Sequence, residues 1–131
     1  MTVSTPPVAV GAALPPWELP VTPTLITSTA IATRDFQDVH HDRDLAQSRG
    51  SADIFLNILT STGLVQRYVT DSLGHGVDLA GIALRLGAPA YPGDELVFTG
   101  TRDGDTVSVV GAVSQSNQAR GDHVTATVTL R

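Results

Sequence analysis

Asp35 and His40 stand five residues apart in R-D-F-Q-D-V-H-H-D-R-D-L-A, the stretch from Arg34 to Ala46. Carboxylic acids titrate near about 3.9 and imidazoles near about 6.5, so a partly buried Asp beside a neutral His can share and pass a proton around neutral pH. A turn through Gln37 and Asp38 would swing both side chains toward one water molecule. Gln37 is then either a water-positioning amide or simply a turn residue. Two other readings compete for the same stretch. The first is a solvated loop entering a short helix, with Asp residues favouring the helix N-terminus. The second is a metal site, because His40 and His41 lie among carboxylates. Adjacent side chains on an extended segment diverge, and the remaining histidines, His75 and His123, sit in or beside apparent turns, so no metal is expected.

Composition narrows the chemistry further. Cysteine is absent, which excludes disulfides, thiolate nucleophiles and cysteine metal sites and is compatible with a reducing cytoplasm. A formal net charge of −5 without a basic run argues against nucleic acid as a partner. No apolar stretch approaches the length of about 18–20 residues that spans a bilayer, and M-T-V-S-T-P-P has no basic segment ahead of an apolar core. A soluble, cytoplasmic protein with no membrane partner is the expectation.

The elements that must hold Asp35 and His40 follow from patterning. Residues 1–20 carry five of the eight prolines and read as a tail or strap anchored at Trp17. Residues 21–131 read as one domain. T-P-T-L-I-T-S-T-A-I-A-T, residues 22–33, is rich in Thr and Ile and reads as a strand delivering the chain into the polar cluster. Beyond Gly50, the spacing of Ile54, Phe55, Ile58, Leu59, Val65, Tyr68 and Val69 predicts a helix of about 20 residues. Ser51 or Asp53 would cap its start, and Gly74 or Gly76 would end it. The rest alternates like strands, with a hairpin turn at Asp103-Gly104. The architecture implied is α+β, a curved antiparallel sheet around one long central helix.

D-F-Q-D-V-H-H-D-R-D-L-A resembles the motif of MaoC-like enoyl-CoA hydratases, usually D-x-N-P-x-H followed some residues later by Ala. Asp35, His40 and Ala46 take the matching positions, while Gln37 and Asp38 stand where Asn and Pro are usual. P-A-Y-P-G-D-E-L, Pro89 to Leu96, is similar to that family's strand-entry segment, and the order of elements is that of its hot-dog fold. The runs A-T-R-D-F-Q-D-V-H-H-D-R-D and I-L-T-S-T-G-L-V-Q-R-Y-V-T-D resemble, more narrowly, small subunits of actinobacterial MaoC-like hydratases acting on steroid side chains.

This resemblance implies a subunit that hydrates an α,β-unsaturated steroid acyl-CoA, paired with a larger MaoC-like subunit, without a cofactor. It implies that Asp35 and His40 hold and deprotonate water. A backbone N–H at the helix start would meet the developing enolate oxygen. The family's usual His-Gly there falls on Leu56 and Asn57, so the Asn57 N–H is the candidate donor, and the missing glycine leaves its backbone geometry open. The Asn57 side chain is either a polar pocket group or an idle helix residue. Two rivals remain: a non-catalytic acyl-CoA-binding or scaffolding subunit, and a hot-dog thioesterase with a carboxylate on the long helix, for which Asp53 is the available group. A hot-dog sheet with one bare face also calls for a second chain, whether a copy or a larger relative.

Overall fold

The structure, a computed structural model, describes residues 12–131. Five antiparallel strands form one sheet: β1 (Ala13–Pro20), β2 (Leu79–Leu86), β3 (Glu95–Asp103), β4 (Thr106–Gln115) and β5 (Gln118–Leu130), in the order β1-β3-β4-β5-β2. Three helices lie between β1 and β2: α1 (Pro23–Ala32), α2 (Arg43–Ser48) and α3 (Ile58–Leu73), with a 3₁₀ turn at Asp38–His40. The expected α+β sheet wrapped on a long helix is what forms.

Alternation sets the faces of the sheet. Along β5, Val124, Ala126, Val128 and Leu130 are buried while Thr125, Thr127 and Thr129 are exposed, so one face packs on α3 and the other is bare in the single chain. α3 answers with a stripe of Leu64, Val65, Tyr68, Val69 and Leu73. Phe98, fully buried on β3, lies against Tyr68 at 5.8 Å and stacks on Trp17 of β1 at 5.2 Å. At Gly111 the close approach is obligatory, since a Cβ there would stand 2.8 Å from Val124 Cγ1 and 3.0 Å from the Phe98 ring.

Three expectations need correction. Residues 22–33 are not a strand but contain helix α1. Thr22 Oγ1 accepts the Leu25 N–H at 3.0 Å and Pro23 occupies the first turn, a start signal that outweighs the β-preference of Thr and Ile. The threonines are accommodated because their hydroxyls donate one turn back, Thr29 to the Leu25 carbonyl at 2.6 Å and Thr33 to the Thr29 carbonyl at 2.8 Å.

The long helix begins at Ile58 and has 16 residues, with Asn57 as its cap rather than Ser51 or Asp53. Ile54 and Phe55 therefore precede it, and Ile58 and Leu59 face outward, each about half exposed. Gly74, at φ 103°, ends it as expected.

The pre-helix strand is Ala13–Pro20, inside the segment read as a tail or strap; residues 1–11 of that segment lie outside the described residues. Pro15 and Pro16 fall in the register irregularity between Leu14 and Trp17 on an edge strand, where a missing N–H breaks no ladder. Tyr68 Oη donates to the Pro15 carbonyl at 2.8 Å, tying the strand to α3.

Candidate active site

Helix α1 ends by turning Asp35 back toward α3. Arg34 takes φ 59°, and the Asp35 N–H donates to the Ala30 carbonyl at 2.9 Å, closing the helix with a left-handed residue that is not glycine. Such a conformation costs on the order of 1 kcal/mol and persists where the surroundings over-determine it. Asp35 Oδ1 then accepts the Gln37 N–H at 3.3 Å, and the Gln37 carbonyl accepts the His40 N–H at 3.1 Å. Gln37 thus closes the turn with its backbone, and its side chain is exposed.

The turn brings His40 Nε2 to 3.3 Å from Asp35 Oδ2. The other ring nitrogen, Nδ1, lies 2.7 Å from the Phe55 carbonyl oxygen, so Nδ1 must carry a hydrogen and donate it. Phe55 also packs edge-on against the imidazole at 4.9 Å. His40 is 6% exposed, while its neighbour His41 points to solvent. The two histidines diverge, and among the described residues no group of three or more His, Asp or Glu is arranged to hold a metal ion.

Asn57 is 2% exposed and uses its whole side chain. Its Oδ1 accepts the Thr60 N–H at 3.1 Å, while Nδ2 donates to Thr33 Oγ1 at 2.9 Å and to Asp35 Oδ2 at 3.2 Å. The loop before it is pinned by Leu56 N–H donating to the Ala90 carbonyl at 3.2 Å and Phe55 N–H donating to the Val39 carbonyl at 3.3 Å. The Asn57 backbone has φ −83° and ψ 162°, open to any L-residue, so glycine is not required there. Among the described residues its N–H has no hydrogen-bond acceptor.

Two other acids of the polar cluster hold local structure. Asp42 Oδ1 caps α2 through the Leu45 N–H at 3.1 Å. Asp38 is paired by both oxygens to Arg49, at 2.8 and 2.9 Å, and that guanidinium holds its carboxyl below the usual carboxylate range. An open hollow of about 430 Å³ on the outer side of the turn is lined by Phe36, Gln37, Asp38, Val39, His41 and Arg49, and by neither Asp35 nor His40. Asp53 lies before α3, bonded to the Ile54 N–H at 2.7 Å, and no acidic residue occupies the first turn of α3.

Two buried polar groups escaped sequence reasoning. His123 lies within β5 at 2% exposure rather than in a turn, with Nε2 2.7 Å from Ser61 Oγ and Nδ1 2.8 Å from the Ala88 carbonyl oxygen. Burial pushes its imidazole below the ordinary value. Asp94, also buried, accepts the Tyr91 N–H at 2.8 Å and pairs with Arg120, which also donates to the Pro89 carbonyl at 2.9 Å. The only signal for Asp94 was its place in P-G-D; Arg120 gave none, lying 26 residues away in sequence.

A scan against protein-family models finds no match. The chain is 57% identical over 126 residues, covering 92% of its length and 94% of the relative, to the 3-oxo-4,17-pregnadiene-20-carboxyl-CoA hydratase beta subunit of Mycobacterium tuberculosis. It superposes with TM-score 0.81 on a chain of the ChsH1-ChsH2 complex from the same organism, at 51% identity over 94% of this chain and 98% of that one. The chain belongs to the MaoC-like hot-dog hydratases. R-hydratase PhaJ1 from Pseudomonas aeruginosa shares the MaoC-like fold at TM-score 0.78, with 17% identity over 94% of this chain and 81% of that one. Within this MaoC-like chain, Gln37 and Asp38 replace the usual Asn and Pro without opening the turn, because Asp35 and Arg49 bond to it from either side.

Proposed function

We propose that the chain is the catalytic small subunit of an enoyl-CoA hydratase that adds water to the α,β double bond of a steroid side-chain acyl-CoA, working in a complex with a larger MaoC-like subunit. The observation that carries this reading is the Asp35–His40 pair, 3.3 Å apart, with the imidazole locked by a backbone carbonyl. In neutral His40 the Nε2 lone pair faces a carboxylate oxygen, so the pair is disposed to hold one proton between them and to exchange it with a bound water. As the water oxygen bonds to the β-carbon, its proton passes to the pair, and a proton from the pair goes to the α-carbon. The product is the 3-hydroxyacyl-CoA. The Asn57 N–H, which has no acceptor among the described residues and lies at the positive end of α3, is the donor we assign to the transient enolate oxygen.

Phe36, Ile58 and Leu59 are exposed and flank Asp35 and Asn57 in sequence, which supports a site completed by apolar substrate and a second chain. The scaffolding reading leaves the Asp35–His40 geometry without a use, and the thioesterase reading lacks a carboxylate in the first turn of α3. We place the chain in the cytoplasm, a reducing compartment with which its lack of cysteine is compatible.

The test is to co-purify the chain with its larger partner, determine the native mass, and incubate complex and separate chains with a steroid side-chain enoyl-CoA. Water addition by the complex is expected. Equal hydration by the larger partner alone would overturn the assignment of catalysis to this chain.

A further inference from the structure

The polar atoms of the Asn57 side chain are all engaged within the chain. Its three polar contacts run to three different elements: Oδ1 to the first turn of α3, and Nδ2 to Thr33 at the end of α1 and to Asp35 Oδ2. An amide has two N–H hydrogens, and here both are spent. Thr33 can accept because its own hydroxyl hydrogen goes to the Thr29 carbonyl at 2.8 Å. At 2% exposure Asn57 has little surface left with which to touch substrate.

We propose that Asn57 is a positioning residue for hydration, one that fastens Asp35 to the N-terminus of α3. This rests on the assignment of Asp35 and His40 as the proton-transferring pair. Asp35 Oδ2 then has two fixed neighbours, His40 Nε2 at 3.3 Å and Asn57 Nδ2 at 3.2 Å. One side chain therefore ties the oxygen assigned to water to the helix end whose N–H is assigned to the thioester oxygen. The two halves of the reaction, oxygen delivery at the β-carbon and charge acceptance at the carbonyl, are held in one rigid frame. A glycine at this position could supply only the N–H. The asparagine adds the link to the carboxylate, and its backbone angles show that it does so without strain.

The role is distinguishable from simple helix capping. Asn57→Ser keeps an oxygen able to cap Thr60 but removes the amide donor; Asn57→Asp keeps the cap and the shape, and sets a second carboxylate against Asp35. Each variant is assayed in the assembled complex. We expect Asn57→Ser to lower kcat by about 100-fold, the usual loss for a misplaced reacting group, with KM little changed. Asn57→Asp should fall further, and the acidic limb of its rate profile should move to higher pH, because neighbouring carboxylates oppose each other's ionisation. Thr33→Val, which cuts the other anchor of the same amide, should reproduce a milder kcat loss and covers the case of an Asn57 variant that fails to assemble.

The deciding arm is a double variant. If Asn57 acts through Asp35, then Asn57→Ser combined with Asp35→Asn loses no more than Asp35→Asn alone. Multiplying losses, or wild-type kcat in both Asn57 variants while Asp35→Asn is inactive, would overturn the positioning role and leave the pair intact. Full activity in Asp35→Asn itself would instead overturn the assignment of the pair.

Discussion

His40 is gripped from two sides, with Nδ1 2.7 Å from the Phe55 carbonyl oxygen and Nε2 3.3 Å from Asp35 Oδ2. A backbone carbonyl can only accept, so the ring's hydrogen is held at Nδ1 and the free lone pair of the neutral ring is presented to the carboxylate. The tautomer is therefore set by the loop before α3, not by Asp35.

Removing either member of the pair should stop chemistry without unfolding the chain. Asp35→Asn keeps shape and an oxygen that can accept the Asn57 amide, and His40→Ala leaves the turn closed by backbone bonds. Each is expected to cost about 100- to 10,000-fold in hydration rate, the range for losing a general acid-base group. The check is single-turnover hydration of a steroid enoyl-CoA by complexes shown to assemble normally; near-normal rates in both variants would remove the pair from the mechanism.

His123 makes stability depend on pH. Burial holds its imidazole below the ordinary value, so on unfolding the chain takes up a proton that the fold refuses. Its contribution is complete above about pH 6.5 and is lost as pH falls from there through the folded value, at up to about 1.4 kcal/mol per pH unit. Urea denaturation between about pH 8 and pH 5 should show this slope, and His123→Gln should flatten it. An unchanged slope in that variant would assign the effect elsewhere.

Arg120→Ala should be among the more damaging single changes outside the site. It strips the cation from Asp94, whose side chain is 1% exposed, and leaves an uncompensated buried carboxylate. Loss of a partner in such a pair costs about 3–5 kcal/mol. Ala90, whose carbonyl pins Leu56 next to Asn57, lies in the turn that Asp94 organises, so hydration should weaken together with the melting temperature.

Gly111→Ala tests the packing of side chains on the core face of the sheet. The added methyl would meet Val124 at 2.8 Å and the fully buried Phe98 ring at 3.0 Å. Overpacking of this kind costs about 1–3 kcal/mol, readable as a lower denaturation midpoint with unchanged slope. Wild-type stability would mean that β3 and β4 yield more than their packing implies.

Local patterning was enough to read the alternating strands after residue 77, the Asp103-Gly104 turn and the Gly74 stop, because each depends on residues close in sequence. The five-residue step from Asp35 to His40 was legible for the same reason: one turn, closed by the Gln37 backbone, joins them. Residues 22–33 misled because the β-preference of Thr and Ile is a weak bias, and a Thr-Pro helix start with hydroxyls bonded one turn back overrode it. The start of α3 was misplaced because Ile54, Phe55, Ile58 and Leu59 fit a helical period, yet the loop before it is held by Val39 and Ala90 and the helix is capped by Asn57.

By itself, then, the sequence determined the chemistry available, an Asp and a His one turn apart with no thiol and no lysine, and the kind of fold that would carry them. Tertiary structure decided how that chemistry is held: which nitrogen of His40 faces the carboxylate, that Asn57 reaches Asp35 from 22 residues away, and that the Gln37 backbone closes the turn between them. Hydrogen-bond partners of buried side chains are chosen by the packing of α1, α3 and the sheet, and a linear pattern carries no record of which distant donor arrives beside which oxygen.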